Sequence, residues 1–90
     1  MSIPICSGGD VDANMGSITF TNDPPTVTYT ITSCVDSSGN TMPGWPTTDP
    51  QIQSGGGTVQ LSVLTKANTT YTYTTSPQCP NANNPTIHVQ

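Results

Sequence analysis

Ninety residues, 31% of them hydrophobic, make one domain with a modest core. The charged residues are five aspartates (Asp10, Asp12, Asp23, Asp36 and Asp49) and Lys66, 7% of the chain against a usual fraction of about 25%. With one cation and a net charge of −4 the chain cannot neutralise a phosphate backbone, which argues against a nucleic-acid partner.

No stretch reaches the apolar length of a membrane span. The start, Met1-Ser2-Ile3-Pro4-Ile5-Cys6, lacks the basic and apolar regions of a signal peptide. Yet the surface polarity is Thr, Ser, Asn and Gln, as in secreted or virion-exposed β proteins. Either Met1 stands in place of a signal or upstream domains, or the chain is made in a cytoplasm and works outside it. Residues 1–15 read as an N-terminal arm or loop, and 16–90 as a single β domain. The apolar Ile3-Pro4-Ile5 is a candidate for docking on a neighbour. Asp10, Asp12 and Asn14 space oxygen ligands by two, as calcium loops do. However, Met15 and Thr21 stand where an EF-hand loop wants Gly and Glu, so a plain polar turn competes with a calcium site.

The first strand is expected at Gly16 to Thr21, ended by Asn22-Asp23-Pro24-Pro25. Thr26 to Ser33 alternates longest, with Val27, Tyr29 and Ile31 on one face and threonines on the other. Asp36 to Asn40 is a turn. Thr41 to Gly57 is rich in Pro and Gly, with room for a short edge strand near Gln51-Ile52-Gln53. Trp45, the single tryptophan, is in that segment. It could stack on a sugar or anchor a protein interface, or fold over one end of the core. Gly57 to Ser76 holds two alternating runs that read as a hairpin, the second placing Tyr71 and Tyr73 opposite Thr70, Thr72 and Thr74. Lys66-Ala67-Asn68-Thr69 supplies turn chemistry between them, and Asn68-Thr69-Thr70 is also a glycosylation sequon. After the loop Pro77 to Pro85 comes a terminal strand, Thr86 to Val89.

The run Leu64-Thr65-Lys66-Ala67-Asn68-Thr69-Thr70-Tyr71-Thr72-Tyr73 resembles the strand E to strand F corner of fibronectin type III modules, an immunoglobulin-like family. The resemblance covers only the C-terminal third. It implies a structural corner of Leu64, Tyr71 and Tyr73, in which the Tyr71 hydroxyl bonds back to the backbone. Together with the strand pattern, it gives an all-β fold: a small immunoglobulin-like or fibronectin III-like antiparallel β-sandwich with a Pro/Gly-rich mid-chain segment.

Three cysteines allow one disulfide and one free thiol, or none. Cys34–Cys79 is the candidate bond, joining the end of the second strand to the loop before the last, with Cys34 on the threonine parity of its strand. Their spacings are too long for a compact thiolate metal site. His88, the only histidine, falls on the face opposite Ile87 and Val89, toward solvent or an interface. No nucleophile–base pair can be built around it, and the aspartates sit in loops, so no enzyme is expected. No cofactor is expected beyond the calcium reading.

With so few charges to guard its sheet edges, and prolines (Pro24, Pro25, Pro77, Pro80, Pro85) for only some strand ends, the remaining protection is expected from neighbours. The expected function is therefore structural: a virion accessory protein, a capsid decoration or cement protein at the virion surface, whose partner is a protein shell or a homo-oligomer. The alternative is a domain of a secreted or cell-surface bacterial adhesin or carbohydrate-binding protein that uses Trp45 and polar loops.

Overall fold

A computed structural model describes residues 2–14, 16–22, 25–45, 51–52, 57–60, 66–80 and 84–90, of which 51–52 and 57–60 are described by backbone and pairing only. Eight strands and no helix are found there: β1 (Ser2–Pro4), β2 (Gly9–Val11), β3 (Ser17–Thr21), β4 (Tyr29–Val35), β5 (Gln51–Ile52), β6 (Gly57–Gln60), β7 (Thr69–Ser76) and β8 (Thr86–Val89). They form two sheets, β1-β3-β6 and β2-β8-β7-β4-β5. The fold is all-β.

The period-two pattern explains the long strands. In β3, Ile18 and Phe20 are buried, and in β7, Tyr71 and Tyr73 are buried while the threonines between them are not. The sheets share one core. Phe20 of the smaller sheet meets Tyr73 of the larger edge to face, ring centres 5.6 Å apart. Around them pack Ile18, Tyr29, Ile31 and Ile87.

Three expectations are corrected. First, the runs in 57–76 do not form a hairpin. β6 pairs with β3, whereas β7 pairs with β4 and β8 in the other sheet. Eight residues of sequence, 61–68, separate the two strands, more than the usual hairpin connection of about 2–5 residues. Second, within the expected arm or loop of residues 1–15, residues 2–4 and 9–11 are strands of the two sheets. β1 pairs in parallel with β3, β2 pairs in parallel with β8, and the turn between them closes with Ser7 and Gly8 amides donating to the Pro4 carbonyl at 3.0 and 3.1 Å. Pro4 fits β1 because β1 is an edge strand, where a missing amide leaves no ladder bond unmade. Ile3, Ile5 and Val11 are buried at 2%, 0% and 1% exposure, so Ile3 and Ile5 are core residues here and are not displayed on an exposed arm.

Third, the disulfide joins Cys6 to Cys79, with Cα atoms 5.5 Å apart, and Cys34 is the free thiol. A bulge in β4 accounts for Cys34. The β4–β7 register shifts between Ile31 and Ser33, so one extra residue reverses the side-chain parity and turns Cys34 inward. There its thiol stands 3.8 Å from Met42 Sδ, and burial pushes its pKa up to about 12.

Gln51-Ile52 does form the expected edge strand, beside Tyr29 and Thr30. Gln53 and Leu64 lie outside the described residues.

Candidate functional site

The residues facing away from the core on β4, β7 and β8 form a polar surface. Along β7 these are Thr70, Thr72 and Thr74, which alternate with the buried tyrosines. β4 adds Thr30, Thr32 and Ser33, the last two adjacent on one face because of the bulge. β8 adds Thr86, which pairs with Thr72, and His88, which pairs with Thr70. Cross-strand hydrogen bonds tie the surface together. Thr74 Oγ1 is hydrogen-bonded to Thr32 Oγ1 at 2.6 Å and to Ser33 Oγ at 2.7 Å, and Thr70 Oγ1 lies 2.9 Å from His88 Nδ1. Such pairs hold side chains in fixed rotamers before any partner arrives, lowering the entropy lost on docking. Among the described residues, the face across β4, β7 and β8 carries hydroxyls and one imidazole but no carboxylate or lysine.

His88 is half-buried and stands on the outer face, as its parity predicts. Asp10 borders the same face, its Cα in register with that of His88. Asp10, Asp12 and Asn14 are not curled around a common point. Gly9–Val11 is extended along β8, so Asp10 and Asp12 leave the chain two residues apart along an extended backbone, roughly 6.6 Å. Asn14 adopts a left-handed turn conformation, φ 74°. Among the described residues no group of three or more His, Cys, Asp or Glu is gathered as metal ligands. Asp10 thus lies in β2, with Asp12 just after it and Asn14 in the turn that follows.

Trp45 is half-buried against the core, and its amide donates to the Met42 carbonyl at 3.0 Å. It packs against the core cluster and stays partly exposed.

The tyrosine tie predicted for Tyr71 is made by Tyr73. Tyr73 donates its hydroxyl to the Ile5 carbonyl at 2.7 Å, the Gly8 amide lies beside the Tyr73 hydroxyl oxygen, and burial holds the Tyr73 pKa well above the usual value. Tyr71 is equally buried, and its hydroxyl has no partner among the described residues. Thus Tyr73 ties the larger sheet to the turn that the Cys6–Cys79 bond also holds. Sequence reasoning missed this turn because its contacts are to residues far away in the chain. The one local sign was the Ile3–Ile5 alternation.

At the opposite border, the turn after β4 is organised by Asp36. Its carboxylate accepts from the Ser38 and Asn40 amides, both at 2.9 Å, and pairs with Lys66 at 3.4 Å. The Asn40 amide, then that of Ser38 and the Lys66 ammonium, hold its pKa below the ordinary value. A depressed folded pKa gives stability that is present above the unfolded pKa of about 3.9 and is lost as pH falls through the folded value. We therefore expect Asp36→Asn to flatten part of the acid limb of the stability curve. Urea midpoints of both proteins from pH 6 downward check this; parallel curves would show that the Asp36 contacts contribute nothing.

In comparisons with known proteins, no family model, no curated protein and no solved structure matches this chain.

Proposed function

We propose that this protein is an immunoglobulin-like β-sandwich module that docks on a protein surface without chemistry, in its most concrete form a decoration or cement protein on a virion shell. The observation that carries the reading is the hydroxyl-rich outer face of the larger sheet. Asp10, on β2 at its border, is the one charged residue that this face turns outward among the described residues, so across β4, β7 and β8 the usual barrier to association is low, and the threonines there offer methyl groups for contact and hydroxyls for hydrogen bonds to a partner. The sheet orders β3-β6 and β8-β7-β4-β5 support the immunoglobulin-like reading, since they match strands B-E and G-F-C plus one edge strand. The parallel β1–β3 pair departs from that pattern. The Cys6–Cys79 bond favours a working place outside a reducing cytoplasm, such as a virion or cell surface. The half-buried Trp45 weighs against the adhesin alternative, whose sugar platform it would have to be.

The test is to express the tagged chain in the cells that carry its gene and to band their particles on a density gradient. The wild-type chain is expected to travel with the particles. The variant Thr32→Lys/Thr72→Lys/Thr86→Lys should remain near the top with an unchanged circular dichroism spectrum, because its three lysines must be desolvated on docking. A wild-type chain found only at the top of the gradient, or in the outer cell-surface fraction, would overturn the reading.

A further inference from the structure

The segment from Ser2 to Val11 sits in a two-sided seat. Its first strand closes the edge of one sheet at β3 and its second closes the edge of the other at β8. Between the two, the Ile5 amide donates to the Thr21 carbonyl at 2.8 Å, and the Ile5 carbonyl accepts from Tyr73 at 2.7 Å. Ile3, Ile5 and Val11 fill the space between the sheets. Lifting the segment would leave both edges bare and open the core. Only a segment with the same pattern of buried isoleucines and valine fits the seat fully, and the chain itself supplies one.

We propose that this seat is a strand-acceptor site between copies, and that residues 2–11 of a second copy can occupy it in exchange for the chain's own. Three observations point there. Each ladder of the segment spans three residues and is parallel, a slightly weaker pairing per residue than antiparallel, so the non-covalent hold is short. The segment joins the rest of the fold through residues 12–16, which reach at most about 17 Å when extended and so allow the seat of an abutting copy to be reached. Finally, every contact within the seat is remade identically after exchange, the condition under which strand swapping costs least. Reciprocal exchange leaves neither seat empty, so the product is a closed dimer. The proposal does not depend on the identity of the docking partner.

The Cys6–Cys79 bond locks the segment in its own seat and gives the exchange a covalent signature. A small thiolate attacks Cys79 Sγ, breaking the disulfide, forming a mixed disulfide and releasing the Cys6 thiolate. Once the segment of a second copy has docked, that copy's Cys6 thiolate attacks the same Cys79 sulfur and expels the small thiolate. Disulfides are conserved, and no oxidant is consumed. Cys6 and Cys79 are 8% and 4% exposed, so the thiol reaches the bond by local opening of the turn around it, and the segment lifts only after the bond is broken. Cys34, buried in the core, does not start the exchange.

The experiment mixes equal amounts of ordinary and ¹⁵N-labelled wild-type chain with a substoichiometric amount of glutathione, followed by alkylation. Cleavage at methionine and Lys66 places Cys6 in fragment 2–15, Cys34 in 16–42 and Cys79 in 67–90. A covalent dimer is expected on non-reducing gels, increasing with protein concentration, in which about half of the 2–15/67–90 pairs join a heavy to a light fragment. Pairs of a single label at every concentration would overturn the proposal. Mixed pairs accompanied by comparable links to fragment 16–42 would overturn it too, because they mark reshuffling in unfolded chains.

Discussion

Replacing Gly8 by alanine is expected to destabilise the protein by about 3 kcal/mol or more. Gly8 has φ +73°, where an L side chain costs about 1–2 kcal/mol. A Cβ there would also overlap the Thr86 carbonyl oxygen and stand 2.8 Å from the Thr86 nitrogen. Those atoms are backbone at the start of β8, so relief requires moving a strand, at a further cost of about 1–3 kcal/mol. The displacement would reach the function as well, since Thr86 and His88 lie on the proposed docking face and the Gly8 amide rests against the Tyr73 hydroxyl. Gly16 is the internal control, because a Cβ there meets nothing within 4 Å. Urea denaturation of Gly8→Ala beside Gly16→Ala checks the expectation. Equal midpoints would mean that the close approach of the turn to β8 is absent.

The second large effect comes from the disulfide. It closes a loop with a sequence separation of 73 residues, for which chain entropy gives about 4 kcal/mol of stabilisation. A domain of this size is stable by roughly 5–15 kcal/mol, so the bond supplies a large share of the total. Cys6→Ala/Cys79→Ala is expected to lower the unfolding midpoint steeply while Cys34→Ala leaves the bond intact. The cavity left by truncating Cys34 costs less, because one sulfur atom is removed from a core that otherwise keeps its contacts. Thermal unfolding of the two variants ranks them; the reverse order would show that Cys6 and Cys79 are not joined.

The elements that could be read from the sequence are those with a local signal. Ser17–Thr21, Thr69–Ser76 and Thr86–Val89 announce themselves by alternation, and the Asp36 and Asn68 turns by residue types that bond their own backbone or accept a positive φ. The outer face was visible in the same way, since Tyr71 and Tyr73 inward forces Thr70, Thr72 and Thr74 outward. What escaped depends on non-local geometry. β1 and β2 are three residues each and pair in parallel with strands far along the chain, so their sequence shows only an isoleucine pair around a proline. The bulge after Ile31 has no residue signature, yet it alone moves Cys34 from the face to the core and leaves Cys79 to Cys6. The separation of β6 from β7 was hidden for the opposite reason: two good strands near one turn look like a hairpin unless the length of the connection is weighed.

The claim on which the fold, the seat and the proposed exchange all rest is that residues 2–11 are built into the body of the protein through Cys6. It is tested most directly by mapping the disulfide in the freshly purified, alkylated chain, again by cleavage at methionine and Lys66. The expected result is fragment 2–15 linked to 67–90, with Cys34 in 16–42 unlinked and alkylated only after denaturation. Fragment 16–42 linked to 67–90, with Cys6 alkylated in the native protein, would contradict the account and return residues 1–15 to the status of a free arm.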